Sequence, residues 1–472
     1  MRILRSIRRS VGWWAGPGLL GALATAASLN AQAAPTLSLA DAMREADRHA
    51  FANRIAIANN DAGRAQSRLP LKGILPTARI ETGVIRTTDP IGAFGTTLRQ
   101  RLVTPAAFDP ARLNDPAAVT NVQGGLVLEL PLLNADAWTG WRAARASAEA
   151  TGAAGEWTSL TTKTNLVRAY YGATLAHEKS AMLEQAQRAA ESAVRQVQAM
   201  VNQGLVTKAD ALQASVRASD VASQLLSARS DALSAAQQVS LLLGRTDGRA
   251  VTLPATLPPD APVRALAEHD TVTVPDASHA PTPMAARADV RAASAGVRAA
   301  NADRLRAAST LLPRVNSFAR YDWNNPTTLY GGRKNWTVGV MASWSLFGGG
   351  SELADLAGAT AREIGAQVGR EAALAQGQLE ADAARRGIVV ALQQLDLAKG
   401  AAEQSREAYR LVDKRYAGGL ATIAELLGAE SQATGAALAH AAARYTLIDA
   451  IATHRRAIGA DPAELAFLDT AR

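Results

Sequence analysis

Apolar residues follow two periodicities along this chain. In long segments they recur at steps of three and four residues, which is typical of helices packed along their length. In four short runs, about 78–88, 122–133, 314–323 and 336–347, apolar and polar or small residues alternate instead. The pattern predicts a mainly α-helical fold with long coiled-coil-like helices and a smaller β portion.

The last alternating run is the clearest. Trp336, Val338 and Val340 begin an apolar face. Thr337 and Gly339, which alternate with them, begin a face of mostly small or polar residues. Trp336 and Trp344 would lie ~27 Å apart on an extended strand, a spacing that suits the two interfaces of a membrane barrel. A half-buried sheet in a soluble domain gives the same alternation, and taken alone it is the commoner case.

The order of these features occurs twice, which indicates a duplicated unit. The first repeat covers 34–245 and the second 284–472. An irregular connector, 246–283, is expected between them because it holds seven of the nineteen prolines.

Each repeat carries one very long helical segment that a glycine turn interrupts, at about 202–207 and 417–422. The ascending arms of 68 and 67 residues reach ~100 Å each. The two turns lie a constant 215 residues apart, so matching hairpins are predicted.

Residues 1–33 resemble a secretory signal peptide, with four arginines, an apolar run and a small-residue cleavage pattern at Ala31-Gln32-Ala33. A membrane-anchoring helix is the alternative reading. The formal charge is +8, and without the four leader arginines it falls to +4, which argues against nucleic acid as a partner. With no cysteine, disulfides, thiolate metal sites and a lipid-modified cysteine are excluded.

Four strands are too few to close a membrane barrel, and an open sheet edge cannot be left in lipid. If the strands span a membrane, several chains must therefore contribute to one barrel.

The order and spacing of several motifs resemble the TolC-type outer-membrane efflux channel family, the outer membrane factors, over essentially the whole mature chain. The carriers are Leu130-Pro131-Leu132-Leu133-Asn134 with its counterpart Ser345-Leu346-Phe347-Gly348-Gly349, Asp89-Pro90-Ile91-Gly92-Ala93-Phe94-Gly95 with Phe108-Asp109-Pro110, and the two turns. The second turn, from Arg415 to Leu427, is the most specific. Met200-Val201 depart from this pattern, because the second turn has Arg415-Tyr416 at the matching positions.

The resemblance implies a trimeric α/β barrel in the cell outer membrane, with four strands and long periplasmic helices from each chain. It implies a passive conduit of a tripartite efflux or secretion system, with no cofactor and no catalytic step. The implied partners are two further copies of the chain, outer-membrane lipid, a periplasmic adaptor and an inner-membrane pump, for which the resistance-nodulation-division type is one candidate.

Two sets of working residues follow. The turns, with Gly204, Leu205, Gly418, Gly419 and Leu420, are the expected adaptor-docking tips. Asp210 and Glu425 follow the tips in Thr-x-x-acid patterns, which predict capping boxes, and the resemblance implies that the same carboxylates line a periplasmic aperture.

No catalytic set emerges from the sequence. The six histidines lack metal-ligand spacing, and no Ser/His/Asp group or carboxylate pair can be assembled. A periplasmic coiled-coil adaptor is the main alternative function, since it too combines a signal with a helical hairpin. A secreted hydrolase is a third reading that lacks any assembled site.

Overall fold

The computed structural model describes residues 36–272, 284–329 and 331–470. The expected signal peptide, 1–33, lies outside the described residues. Within those ranges the chain forms eleven α-helices and four strands. They are α1 Leu39–His49, α2 Phe51–Gln66, β1 Thr77–Thr87, α3 Pro90–Arg99, α4 Pro110–Asn114, β2 Val119–Leu133, α5 Ala135–Asn202, α6 Lys208–Leu242, α7 Asp260–Val272, α8 Ala288–Ser309, β3 Arg314–Asn325, β4 Arg333–Ser343, α9 Ser351–Ala417, α10 Ile423–Ala457 and α11 Phe467–Thr470.

The four strands form one antiparallel sheet in the order β1-β2-β3-β4. The pairing of β2 with β3 joins the two repeats, and β1 and β4 are the edges. The register puts charged and amide side chains on one side, here called the polar face: Arg79, Glu81, Gln123, Glu129, Arg320 and Asp322. The other side, the apolar face, carries Ile80, Val84, Leu126, Leu128, Tyr321, Trp336, Val338 and Val340.

The two helical hairpins match closely. Helices α5 and α9 contain 68 and 67 residues, and α6 and α10 contain 35 each. At ~1.5 Å per residue the ascending arms are ~100 Å long and the descending arms ~50 Å. Helix α5 packs against α6, α9 packs against α10, and α5 also contacts α10, so the hairpins lie side by side. No helix in the described ranges combines the length and apolar character that a membrane crossing needs.

The largest core lies where the first and last helices meet the middle of α5 and the C-terminal part of α10. Tyr170 and Tyr171 are fully buried there and pack edge to face, with ring centroids 5.2 Å apart. The Tyr170 hydroxyl lies 2.8 Å from the Leu37 carbonyl oxygen and 2.9 Å from Asp469 Oδ2, and its single proton is shared between these two acceptors. This contact ties both ends of the described chain to α5. This cluster, together with the connector that crosses it, forms what we call the waist.

The prediction that 246–283 is irregular was wrong for its central part, where α7 forms. Proline breaks a helix in its interior, but Pro262 stands in the first turn of α7, where a missing N–H costs nothing. Val263 and Ala267 are fully buried on one side of α7. Residues 273–283 lie outside the described part.

Buried ion pairs hold the connector and the second repeat to the hairpins. Arg455 on α10 donates two hydrogen bonds to Asp270 of α7, at 2.8 and 3.0 Å. The Arg287 side chain is 1% exposed, pairs with Asp289, and stacks 4.5 Å from the Trp157 ring of α5. Because removing one partner of a buried pair leaves an uncompensated charge, these contacts fix the geometry of the waist.

The final strand is shorter than its alternating pattern predicted. β4 ends at Ser343, so Trp344 and the apolar pair Leu346 and Phe347 lie beyond it. The Trp344 indole donates to the Leu311 carbonyl at 3.0 Å, and Gly349 and Gly350 then adopt left-handed backbone angles that turn the chain into α9. The alternation continued past the strand because exposed apolar side chains also line this turn.

His454 predicts how stability depends on pH. Burial lowers the pKa of this imidazole below its ordinary value near 6.5; Asp270 opposes that shift, and Arg455 and Arg385 add to it. Below pH ~6.5 the unfolded chain therefore binds a proton that the folded state resists, and the free energy of unfolding should fall. This loss of stability at low pH is called the acid limb here. The His454→Leu protein should show a smaller acid limb when thermal unfolding is followed by circular dichroism.

The control is His177→Leu, which replaces a histidine of α5 that is not buried and should leave the limb unchanged. An acid limb of equal size in the His454→Leu protein would contradict the assignment.

Candidate functional site

Both hairpin tips use the same backbone turn. Gly204 and Gly419 have φ angles of +70° and +73°, a left-handed conformation that favours glycine because it lacks a Cβ. The Leu205 N–H donates to the Met200 carbonyl at 2.9 Å, and the Leu420 N–H donates to the Arg415 carbonyl at 2.8 Å. These are the bonds of a Schellman helix ending, so each ascending arm stops at an equivalent position.

Both predicted capping boxes are present. The Thr207 backbone N–H donates to Asp210 Oδ2 at 2.8 Å, and the Asp210 N–H donates back to the threonine hydroxyl at 3.3 Å. The Thr422 N–H likewise donates to Glu425 Oε2 at 2.8 Å. These cap bonds use one oxygen of each carboxylate, and they satisfy N–H groups that a helix start otherwise leaves open.

The tips expose leucine. Leu205 is 66% exposed and Leu420 is 73% exposed, although both lie beside glycines in turns that polar residues could equally form. Gly418 has a φ of −86°, an angle that any residue adopts, so only Gly204 and Gly419 are required by the turn itself. The exposed leucines therefore have no evident role in forming the turns.

A small apolar cluster packs the tips of the two hairpins together, and it contains Val197, Ala211, Ala214, Tyr416, Ile423, Leu426 and Leu427. The Tyr416 hydroxyl donates to the Met200 sulfur at 3.8 Å, so the positions that differ between the turns touch each other. Burial raises the pKa of Tyr416, and the negative charge of Asp210 raises it further. The structure thus brings Asp210 close to the second tip.

Sequence reasoning missed a buried acid above this cluster. Glu430 is 8% exposed, and within the described residues its Oε1 has no hydrogen-bond partner. Burial raises its pKa, and the Arg217 charge on α6 partly opposes that rise. A signal existed: Ile423, Leu426 and Leu427 start a spacing that puts an apolar residue at 430.

The polar face of the sheet carries a connected row of charges. Arg79 pairs with Glu81 and Glu129 at 2.9 and 2.7 Å, and Arg320 pairs with Asp322 at 2.7 Å. With Thr337 and Asn335, part of this row lines a cavity of 490 Å³. The apolar face carries charged side chains only near the loop end of the strands, at Arg86 and Lys334, and is otherwise mainly apolar or small, which is the division expected of strands with water on one side and lipid on the other.

The two candidate interface aromatics lie at opposite ends of β4. Trp336 is 72% exposed, faces outward on the apolar face and pairs in register with Tyr321. Trp344 is 61% exposed and follows the strand, at the end from which α9 departs. Both therefore remain candidates, although only Trp336 belongs to the strand.

The described part of the chain contains no candidate metal site. No group of three or more His, Asp or Glu side chains there could hold a metal ion. The polar clusters described there include caps, ion pairs, the charged sheet face and a network of buried amides.

Comparison with known proteins identifies the family of this chain. The family described as outer membrane efflux protein matches residues 92–245 and 284–460, which include both hairpins and three of the four strands. No curated protein sequence matches the chain significantly.

Solved structures give the same fold. The Campylobacter jejuni CmeC outer membrane channel is similar with a TM-score of 0.75 and 16% identity, covering 92% of this chain and 89% of that one. The open state of the Neisseria gonorrhoeae MtrE outer membrane channel is similar with a TM-score of 0.69 and 18% identity, covering 90% of this chain and 89% of that one. The outer membrane protein VceC from Vibrio cholerae is similar with a TM-score of 0.70 and 17% identity, covering 90% of this chain and 96% of that one.

The chain therefore belongs to the outer membrane efflux protein family, and it is an efflux channel protein of the outer membrane whose long helices make up its periplasmic part.

Proposed function

We propose that three copies of this chain form one passive conduit from the periplasm to the exterior. The observation that carries this proposal is the open sheet: β1 and β4 each have one unpaired edge, and the apolar face requires lipid or protein against it. An unpaired edge cannot stay in lipid, because each unsatisfied backbone group costs several kcal/mol there. Pairing β4 of one copy with β1 of the next closes twelve strands without a free edge.

The outer helices support the same assembly. In each protomer, α6 and α9 lie at the two sides of the helix layer and expose apolar side chains along their length. They include Leu212, Val216, Leu226, Leu233 and Leu241 on α6, and Ile364, Val368, Leu397 and Leu411 on α9. Helices this long are stable only when packed along their length, so we assign these faces to contact between protomers.

In this assembly the polar face of the sheet lines the lumen and the apolar face meets outer-membrane lipid. Trp336 and Trp344 then mark the two interfaces of the membrane, where amphipathic rings are favourable. Cargo passes along the charged row without a chemical step, and we propose no enzymatic activity and no cofactor.

The tips are the proposed docking surface. Channels of this family work with an adaptor and an inner-membrane pump. For this chain we propose a periplasmic adaptor that covers Leu205 and Leu420, together with an inner-membrane pump of a type such as resistance-nodulation-division. An exposed leucine on a glycine turn gives a partner both apolar area and accessible backbone.

Asp210 and Glu425 are the proposed aperture residues. Threefold symmetry repeats each carboxylate three times around one axis, and like charges at short range favour cations and oppose constriction. Their capping role is compatible with this one, because the backbone cap bonds involve a single oxygen of each acid.

A periplasmic adaptor is the alternative, and the membership of the channel family does not favour it. The two functions differ in location. A mature protein found wholly in the soluble periplasmic fraction would argue for the adaptor.

The first prediction concerns assembly. In detergent the protein should run as a trimer that dissociates on heating, because the strands of one copy cannot close alone. Light scattering gives the mass and circular dichroism gives the strand content. A monomer that keeps native strand content would overturn the trimer.

The second prediction concerns docking. Leu205→Asp with Leu420→Asp should abolish export while trimer and barrel persist, because charge at the tip opposes burial against an adaptor. The control, Leu205→Met with Leu420→Met, keeps apolar tips and should keep export. Normal export by cells that carry only the Asp variant would show that the leucines do not dock.

The third prediction separates charge from capping. Asp210→Asn with Glu425→Gln keeps an acceptor for each cap but removes the charge, so cation preference in planar-bilayer conductance should fall toward none. Thr207→Ala with Thr422→Ala keeps the charge, should keep the cation preference, and should cost about 0.5 to 2 kcal/mol of stability per cap.

Unchanged ion selectivity in the amide variant would leave Asp210 and Glu425 with the capping role alone. The threonine variant is the control for indirect effects, since a loss of selectivity there would mean that cap disruption deforms the aperture.

A further inference from the structure

The connection between β1 and β2 is a folded segment. Residues 88–118 contain α3, a short 3-10 turn at Pro105–Phe108 and α4. Asp89 caps α3 by accepting from the Gly92 N–H at 2.6 Å, and Phe94 packs edge to face on Phe108 with centroids 5.7 Å apart. Such local order in a long loop calls for a reason beyond joining two strands.

Helix α3 has two different sides. Ala93, Thr96 and Gln100, spaced three and four residues apart, are buried against the sheet. Ile91 and Leu98 lie seven residues apart on the opposite side and are 85% and 50% exposed. Between them, a Cβ added at Gly95 would have no described residue within 4 Å outside its own turn of helix, so this apolar side is open among the described residues of a single protomer.

Buried amides anchor α3 to the polar face. Gln100 Nε2 donates to the Thr120 carbonyl at 2.9 Å and to Asn121 Oδ1 at 3.0 Å. Asn121 Nδ2 donates in turn to Asn324 Oδ1 at 2.7 Å, which extends the network from β2 to β3. All three residues are no more than 4% exposed, and amides are placed in such surroundings only when their bonds are made.

Two arginines extend the anchor across the sheet. Arg99 lines the 490 Å³ cavity of the polar face together with Glu81 and Asp322. Arg101 donates to the Lys334 carbonyl on β4 at 3.4 Å and has a φ of +55°, an uncommon angle for a residue other than glycine. The end of α3 is thus held over the polar face from β1 to β4.

The dimensions of the proposed barrel decide what the open side of α3 meets. Twelve strands ~4.8 Å apart and tilted by ~40° enclose a circle ~24 Å across between backbones. Three helices ~10 Å thick need a circle ~22 Å across, so one α3 from each copy fills the mouth.

We propose that the three α3 helices close the outer mouth of the barrel, with the Ile91 and Leu98 side of each packed against the same side of the other two. The occupant of this surface is a second and third copy of the chain. Lipid cannot reach the polar face of a closed barrel, and an open water-filled mouth would leave the apolar side chains unpaired. The amide network Gln100–Asn121–Asn324 is the anchor that holds each helix in place. This inference rests on the proposed trimer.

Cross-linking tests the contact directly, because the chain has no cysteine of its own. In separate trimeric variants, Ile91→Cys or Leu98→Cys should form a disulfide-linked dimer on mild oxidation. The control is Ile80→Cys, which is 71% exposed on the apolar face of β1 and lies a barrel width from its copies. A trimer in which neither Ile91→Cys nor Leu98→Cys cross-links would overturn the closure.

Accessibility tests the anchor without depending on the periplasmic end. Thr337 lines the cavity beneath the end of α3, so Thr337→Cys in intact cells should resist a bulky polyethylene-glycol maleimide added outside. Adding Gln100→Ala with Asn121→Ala should raise the labelling rate by about tenfold or more, because the helix then opens at low cost. Both proteins should label equally after denaturation.

Fast labelling of Thr337→Cys in the anchored trimer would contradict the closure. If the anchor variant fails to assemble, the cross-linking result decides alone. A monomer in detergent would instead reject the proposed function, so the two failures are distinguishable.

Discussion

The two edge strands of the sheet determine how this protein must assemble. β1 and β4 present unpaired backbone groups, and one face of the sheet is apolar. Water can satisfy the edges but not that face, whereas lipid can cover the face but not the edges. Only pairing between copies meets both needs. In the trimer that we propose, the long helices start from fixed points on a closed ring, and their exposed apolar stripes then face neighbouring protomers.

Duplication explains why the tips resemble each other and where they differ. Both turns repeat the left-handed glycine, the helix-ending hydrogen bonds and the capping box. These are local devices that work in either repeat. The side chains beside them are not local, since Tyr416 packs toward Met200 of the other tip. The second tip supplies the tyrosine and the first tip supplies the methionine that it contacts, so the two tips cannot carry the same residues at these positions.

The same distinction decides what the sequence could predict. The hairpins, their glycine turns and the capping boxes follow from periodicity and from residues three or four apart, and the structure confirms them. α7 was missed because its burial against the waist outweighs the prolines around it. The Asn121–Asn324 bond joins residues 203 positions apart, and no periodicity predicts such a contact. Glu430 was predictable only in part. The apolar spacing of its helix marks position 430, but the burial of the carboxylate depends on packing against α6.

Buried polar groups differ between the waist and the tips of the helical part, and this difference has a mechanical consequence. At the waist, the guanidinium groups of Arg287 and Arg455 are bonded to carboxylates, so separating the elements there would leave buried charges unpaired. At the tips, a small apolar cluster joins the hairpins below Glu430, whose burial opposes its charged form. Separating the tips would hydrate that carboxylate and recover part of the cost of packing it. The tips are therefore easier to move apart than the waist, and a change in the proposed aperture is best accommodated at the end where the proposed docking leucines lie.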